Sequence, residues 1–172
     1  MLSLFQFAAF ASKLATLAYR AKCVKSPSIL LRDGSFPPIL PHNPWGFHEL
    51  IFYRPVSLWS DADVDDDEFL LLRALLLCST PADLPEFAMK ELEKTKLRFA
   101  RTLFAYEATK LGPTKGAERF QLLLSTLNSW ILLTAKHKEL YVMGRYRALK
   151  RGPPESLFPA YVDPLVVELM SG

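Results

Sequence analysis

The sequence contains little cysteine and glycine, and it lacks the short motifs that accompany many catalytic sites. Its two cysteines, Cys23 and Cys78, lie far apart and form no paired spacing, which argues against a disulfide framework or a zinc site. No dinucleotide, phosphate-loop, nucleophile-elbow or zinc-hydrolase motif occurs, and the glycine-containing stretch 112–116 (GPTKG) lacks phosphate-loop spacing. The sequence therefore predicts no enzyme, no catalytic residue and no cofactor.

Histidine is also scarce, with three residues in the chain. His42 and His48 share a proline-rich segment, but no cysteine lies near them and the closest carboxylate belongs to Glu49. A metal site needs more ligands than this segment supplies, so we expect ordinary polar histidines and no metal.

The net charge of +3 hides an uneven distribution along the 172 residues. Five basic residues precede the first acidic one, Asp33, and the remainder of the chain carries 16 basic against 18 acidic residues. Nucleic-acid affinity depends on many uncompensated cationic side chains, so this near-neutral body argues against nucleic acid as the main partner.

An acidic run, residues 60–68 (SDADVDDDE), precedes a strongly apolar stretch. Its alternating aspartates are similar to the start of a calcium-binding loop, but the glycine and the final bidentate glutamate of such a loop are both missing. We expect instead the start of a helix, capped by Ser60 or Asp63, whose first-turn carboxylates the helix dipole favours. Docking on a basic neighbour is an alternative.

Thirteen prolines are concentrated toward the two flanks of the chain, and the centre is nearly free of them. Prolines disfavour helix, so residues 27–59 and 152–172 are predicted to be extended arms, with a short strand at 50–53 as an option. Apolar side chains in such arms cannot form a core of their own and are predicted to pack against a partner. In the first arm these residues are Trp45, Phe47, Phe52 and Tyr53.

The centre, residues 60–151, is predicted to be helical. A helical stripe and the turn at 112–116 predict an antiparallel hairpin over about 86–149, accompanied by one or two shorter helices. The uncharged stretch 120–135 would span about 24 Å, against about 30 Å of membrane hydrocarbon, so we expect a helix buried in protein, with lipid contact as the alternative. The fold class is mainly α, with extended proline-rich N- and C-terminal arms.

The end of the second long helix, residues 136–151, is rich in basic side chains. We predict that it contacts anionic lipid, an acidic neighbouring protein or RNA, although a solvated helix end explains the same pattern. The candidate interaction residues are Lys136, Lys138, Arg145, Arg147, Lys150 and Arg151.

The first 26 residues lack acidic side chains and contain serines and scattered basic residues, which is typical of a mitochondrial targeting helix. A secretory signal and an ordinary amphipathic helix that packs on its own domain are the alternatives. The wide apolar face suits a membrane surface or a partner subunit. It contains Phe5, Phe7, Phe10, Leu14 and Leu17.

These features together favour a structural accessory subunit of a mitochondrial inner-membrane energy-transducing complex, such as a respiratory complex or the ATP synthase. Its partners would be other subunits of a large assembly, with membrane lipid as a further contact, and it would not be a free monomer. The alternative is a mitochondrial ribosomal protein that binds rRNA through residues 136–151.

Overall fold

The computed structural model describes residues 4–30, 34, 49–79 and 84–151. They form, in order, α1 (Leu4–Cys23), a π-helical turn (Glu49–Tyr53), α2 (Arg54–Asp61), α3 (Asp66–Cys78), α4 (Glu86–Leu111) and α5 (Pro113–Arg151). The predicted mainly helical class is confirmed, and the described ranges contain no strand. The C-terminal arm, 152–172, and much of the N-terminal arm lie outside the described residues.

The two long helices, α4 and α5, meet at Gly112. This residue adopts a positive φ of 84°, and its backbone N–H donates to the carbonyl of Ala108 (3.0 Å), which ends α4. The rings of Phe104 and Phe120 meet with their centroids 5.4 Å apart, and Gly116 lies against the backbone of Ala108. Phe104 precedes Ala108 in α4, whereas its partner Phe120 follows Gly116 in α5, so the two helices pack antiparallel.

Trp59 of α2 lies at the centre of the core and is fully buried. Its ring stacks on Trp130 of α5, with centroids 4.8 Å apart, and meets Phe69 of α3 edge-on at 5.8 Å. Its indole N–H donates to the backbone carbonyl of Ala15 in α1 (3.1 Å). One side chain of α2 therefore contacts three other helices, and the core forms around it.

α1 packs on its own domain through a face of small residues. Ala11, Ala15 and Ala18 are at most 2% exposed, and such small side chains let a neighbouring helix approach closely. Tyr19 stacks on Phe69 with centroids 4.0 Å apart and donates its hydroxyl proton to Asp66 (2.6 Å). For residues 11–21 the structure agrees with the alternative of an ordinary amphipathic helix that packs on its own domain.

The proline-rich arm is helical where it reaches the domain. We expected residues 27–59 to be extended, with a strand at 50–53 as an option, but a π-helical turn and α2 occupy 49–61. Pro55 lies in the first turn of α2, where the missing N–H would have no intrahelical partner, so it starts the helix instead of preventing it.

The cap of α3 is Asp65, and the prediction of Ser60 or Asp63 is wrong. Asp65 accepts from the backbone N–H of Glu68, and the Glu68 side chain accepts from the backbone N–H of Asp65, both at 2.8 Å. This reciprocal pair is a capping box, which uses a glutamate or glutamine three positions after the cap. Ser60 lies within α2, and Asp63 takes a positive φ of 45° in the turn after it.

Candidate functional site

A buried ion pair joins α3 to α5. The carboxylate of Glu68 is fully buried and accepts from Nε and Nη2 of Arg119 at 2.7 and 2.6 Å. The same guanidinium donates to the backbone carbonyls of Ala62 (2.6 Å) and Asp63 (3.0 Å). The bond to Glu68, more than the opposing effect of burial, raises the pKa of Arg119. One cation thus holds the start of α3, the loop before it and the start of α5 together.

A second, more exposed pair joins the α3 cap to α4. The carboxylate of Asp65 accepts from Nζ of Lys110 (2.5 Å) and from the hydroxyl of Tyr106 (3.1 Å). Burial alone would raise the pKa of Asp65, but the hydrogen bonds from Lys110, the Glu68 amide and Tyr106 outweigh it and hold the pKa below its usual value. Asp65 therefore stays ionised and anchors α4.

A third carboxylate in the same place has no such partner. Glu107 of α4 is fully buried, and neither of its oxygens accepts a hydrogen bond from a donor among the described residues, although its carboxyl group, when protonated, can donate to that of Glu68. Burial, followed by the nearby charge of Glu68, raises the pKa of Glu107 to about 7. We call the group formed by Asp65, Glu68, Glu107, Lys110 and Arg119 the ionic junction.

The ion pairs of the ionic junction connect three helices. Within the described ranges, no grouping of three or more histidine, cysteine, aspartate or glutamate side chains could hold a metal ion. Arg119 and Lys110 occupy the carboxylates of Glu68 and Asp65. The junction therefore fixes how α3, α4 and α5 pack against each other.

The predicted cationic site occupies the last part of α5, residues 136–151. Lys136 is exposed and pairs with Glu139 at 2.7 Å, an exposed contact on one helix face that contributes little. The other five residues belong to the helical backbone of α5, and their side chains lie outside the description. They are Lys138, Arg145, Arg147, Lys150 and Arg151. Contact with lipid, protein or RNA through this end remains a prediction.

Two of the four predicted partner-packing residues lie against the chain's own core. Phe52 is 9% exposed and belongs to the core, Tyr53 packs against that core, and the carbonyl of Phe52 accepts from the backbone N–H of Ile29 (2.9 Å). Trp45 and Phe47 lie outside the described residues. Packing of a partner on this arm stays a prediction.

The uncharged stretch of α5, residues 120–135, has one buried and one exposed face. Leu123, Trp130 and Thr134 are fully buried, while Leu122 and Leu132 are 47% and 71% exposed. None of the helices in the described part of the chain combines the length and hydropathy needed to cross a membrane. The exposed face of this stretch thus carries large apolar side chains.

Sequence reasoning missed the ionic junction, although two signals for it exist. The spacing of Asp65 and Glu68 is that of a capping box, and Glu107 follows Leu103 by one helical turn on the buried face of α4. A charged residue on an apolar helical stripe indicates a buried pair, but it does not reveal that the partner lies on α3 and α5.

Comparison with known proteins gives one relative and no family. No protein-family model matches the chain. The chain is 31% identical over 124 residues to the protein described as nuclear hormone receptor family member nhr-153 of Caenorhabditis elegans. The match covers 69% of this chain but only 30% of that protein. A match of this extent has to include the middle of the chain, and so α3 and α4.

Proposed function

We propose that this chain is a non-catalytic helical module of a protein of the nuclear hormone receptor type, in which it acts through contacts with other proteins. The observation that carries the proposal is the 31% identity with the receptor nhr-153 across the central helices. Because the chain spans 30% of that receptor's length, the proposal concerns one helical region and assigns no hormone or DNA site to it.

The architecture of the described residues supports a scaffolding role. The helices share one core around Trp59, and the ionic junction fixes their arrangement through a buried pair, Glu68 with Arg119. The outer face of α5 exposes Leu122 and Leu132 in a stretch without charge. Exposed apolar residues on a rigid helix are typical of a surface that contacts another protein.

The proposal is tested by the cellular location of the chain. The chain would be expressed with a small epitope tag in cells of its source, and nuclear and mitochondrial fractions would be probed. We expect the tagged chain in the nuclear fraction. A matched variant with Leu122→Ser and Leu132→Ser should reach the same compartment but lose its co-fractionating proteins. Exclusive recovery from mitochondria would contradict the proposal.

We propose the mitochondrial accessory subunit as the second candidate, because residues 1–32 contain no acidic side chain. In that setting α1 would direct import, and the chain would stabilise an inner-membrane complex. The test is protease protection: a chain inside mitochondria survives protease added to intact organelles and is digested after detergent. Digestion before detergent would exclude this candidate.

The ribosomal alternative depends on the cationic end of α5. Replacing the six basic residues named for residues 136–151 by glutamine should abolish RNA association under that alternative and leave the other two functions largely intact. The matched control replaces two exposed basic residues elsewhere, Lys13 and Arg20, by glutamine. Equal RNA recovery from all three forms would exclude the ribosomal alternative.

A further inference from the structure

The proposed function gives no role to Glu107, the charged residue on the buried face of α4. Leu103 and Glu107 are the buried residues of this 26-residue helix. A core position one turn after a leucine ordinarily carries an apolar side chain, since an unpaired buried charge costs several kcal/mol. A carboxyl group at this place therefore needs a compensating partner or a proton.

Among the side chains that the structure describes, no cation forms a hydrogen bond with Glu107. Arg119 directs Nε and Nη2 at both oxygens of Glu68, and Nη1 and Nη2 at the carbonyls of Ala62 and Asp63. Lys110 is bonded to Asp65 at the surface side of the junction. Of the two fully buried carboxylates, from α3 and α4, only that of Glu68 is therefore bonded to the guanidinium from α5.

A proton resolves this imbalance. A neutral Glu107 carries no charge to desolvate, whereas an ionised one adds a second buried negative charge beside Glu68. Burial first, and the charge of Glu68 second, raise the pKa of Glu107 to about 7, against weaker opposing effects of Lys110 and Arg119. Glu107 is thus neutral in mildly acidic solution and ionises as the pH passes through the physiological range.

The pKa values of the titratable groups around Glu107 are shifted away from neutral pH. The pKa of Asp65 is held low by its hydrogen bonds despite burial, and the hydrogen bond to Asp65 raises the pKa of Lys110. Burial and the bond to Asp65 raise the pKa of Tyr106, and the bond to Glu68 raises that of Arg119. None of these four shifts introduces a second charge change near pH 7.

Local movement of α4 cannot easily relieve an ionised Glu107. A Cβ placed on Gly116 of α5 would lie 2.7 Å from the carbonyl carbon of Glu107 and from backbone atoms of Ala108, so the two helix backbones are already in close contact there. Water can reach the carboxylate only if α4 moves away from α3 or α5. Ionisation is therefore coupled to opening of the junction.

We propose that a proton on Glu107 holds α4 against α3 and α5, so that the ionic junction is closed in mildly acidic solution and loosens as the pH rises through neutrality. The chain would then present a more mobile α4 to its partners as the pH rises. This device is independent of which receptor or complex contains the chain.

The direction of the pH effect follows from linkage. The pKa of Glu107 is raised in the folded chain from its ordinary 4.5, so the stabilisation is present at low pH and is lost as the pH rises through about 7. Between pH 5 and pH 8.5 the contribution of this group should raise the unfolding equilibrium constant on the order of 50- to 100-fold.

The test is urea unfolding of the 172-residue chain at pH 5 and pH 8.5, in the wild type, Glu107→Gln and Glu93→Gln. Glutamine resembles the protonated acid, and Glu93 is an exposed glutamate on the same helix. We expect the wild type and Glu93→Gln to show the same pH response and Glu107→Gln to lack the 50- to 100-fold component. Identical pH responses in the wild type and Glu107→Gln would overturn the proposal.

A second measurement on the wild type keeps the proposal testable if Glu107→Gln fails to fold. Side-chain carboxyl carbons would be followed by NMR from pH 4 to pH 9. We expect one glutamate to titrate near pH 7, with hydrogen exchange of the α4 amides accelerating over the same range after correction for intrinsic rates. Titration of every glutamate below pH 5.5 would overturn the proposal.

Discussion

Replacing Arg119 by methionine removes the cation of the ionic junction while it keeps a long apolar stem. The side chain of Arg119 is 18% exposed and that of Glu68 is fully buried, so the change leaves a desolvated carboxylate that has lost its cation and keeps only the backbone N–H of Asp65 as a donor. Glu107 lies beside it and is also buried. The carbonyls of Ala62 and Asp63 lose their donors as well.

The expected cost follows from these contacts. Breaking one side of a buried ion pair typically costs about 3–5 kcal/mol, because the remaining charge stays buried. The double variant Arg119→Met, Glu68→Gln removes both charges and should recover more than half of that loss.

The assay is urea denaturation at pH 7, followed by fluorescence of the stacked residues Trp59 and Trp130. Lys90→Met is the control, because Lys90 pairs with Glu86 on the exposed face of α4 and should cost less than about 1 kcal/mol. A cost below 1 kcal/mol for Arg119→Met, or a double variant no more stable than the single one, would refute the role assigned to the junction.

Three further predictions follow from the helix contacts. Gly116→Ala should destabilise the chain by about 1–3 kcal/mol in thermal unfolding, because the new Cβ meets α4 backbone at 2.7 Å; a stabilisation, as helix propensity alone predicts, would refute this contact. Burial lowers the pKa of His137 despite its hydrogen bond with the Leu50 carbonyl, so the free energy of unfolding should fall as the pH drops below about 6.5. In urea titrations His137→Gln should reduce this fall at acidic pH, and an unchanged fall would refute the prediction. Lys110→Met should lower the free energy of unfolding by under about 1 kcal/mol, since the pair with Asp65 is partly exposed. A loss equal to that of Arg119→Met would contradict the expectation that the buried pair contributes more than the exposed one.

The long helices could be predicted from sequence because their limits are encoded locally. Pro85 precedes α4, Gly112 ends it and Pro113 begins α5, so only these residues had to be recognised as helix boundaries. α4 begins at Glu86 and α5 ends at Arg151, near the predicted limits of about 86 and 149, but the turn predicted at 112–116 is wrong in length, because Gly112 alone separates the two helices. Local signals of this kind survive folding because they act through the backbone of the same segment.

Features that depend on tertiary contacts could not be predicted in the same way. The arm around Pro55 is helical because Trp59 and its neighbours fill the core, and proline composition carries no information about that burial. The apolar face of α1 would suit a membrane surface or a partner protein as well as it suits the chain's own domain. The ionic junction joins residues more than 35 positions apart, which a pattern within one helix does not reveal.

The functional hypotheses differ in the assembly that contains the chain. The absence of acidic side chains from residues 1–32 favours a mitochondrial complex, whereas the similarity to nhr-153 favours a receptor. Targeting composition is a property of a short segment, while the match extends over the central helices. We therefore give the receptor proposal precedence, since it accounts for more of the chain.

The most direct test is native purification of the tagged chain in mild detergent, followed by mass spectrometry of the proteins that accompany it through sizing. The receptor proposal predicts co-purification with proteins of nuclear transcription complexes, and the loss of these partners in the Leu122→Ser, Leu132→Ser variant. Co-migration with respiratory-chain or ATP synthase subunits would contradict the proposal and establish the accessory-subunit function in its place.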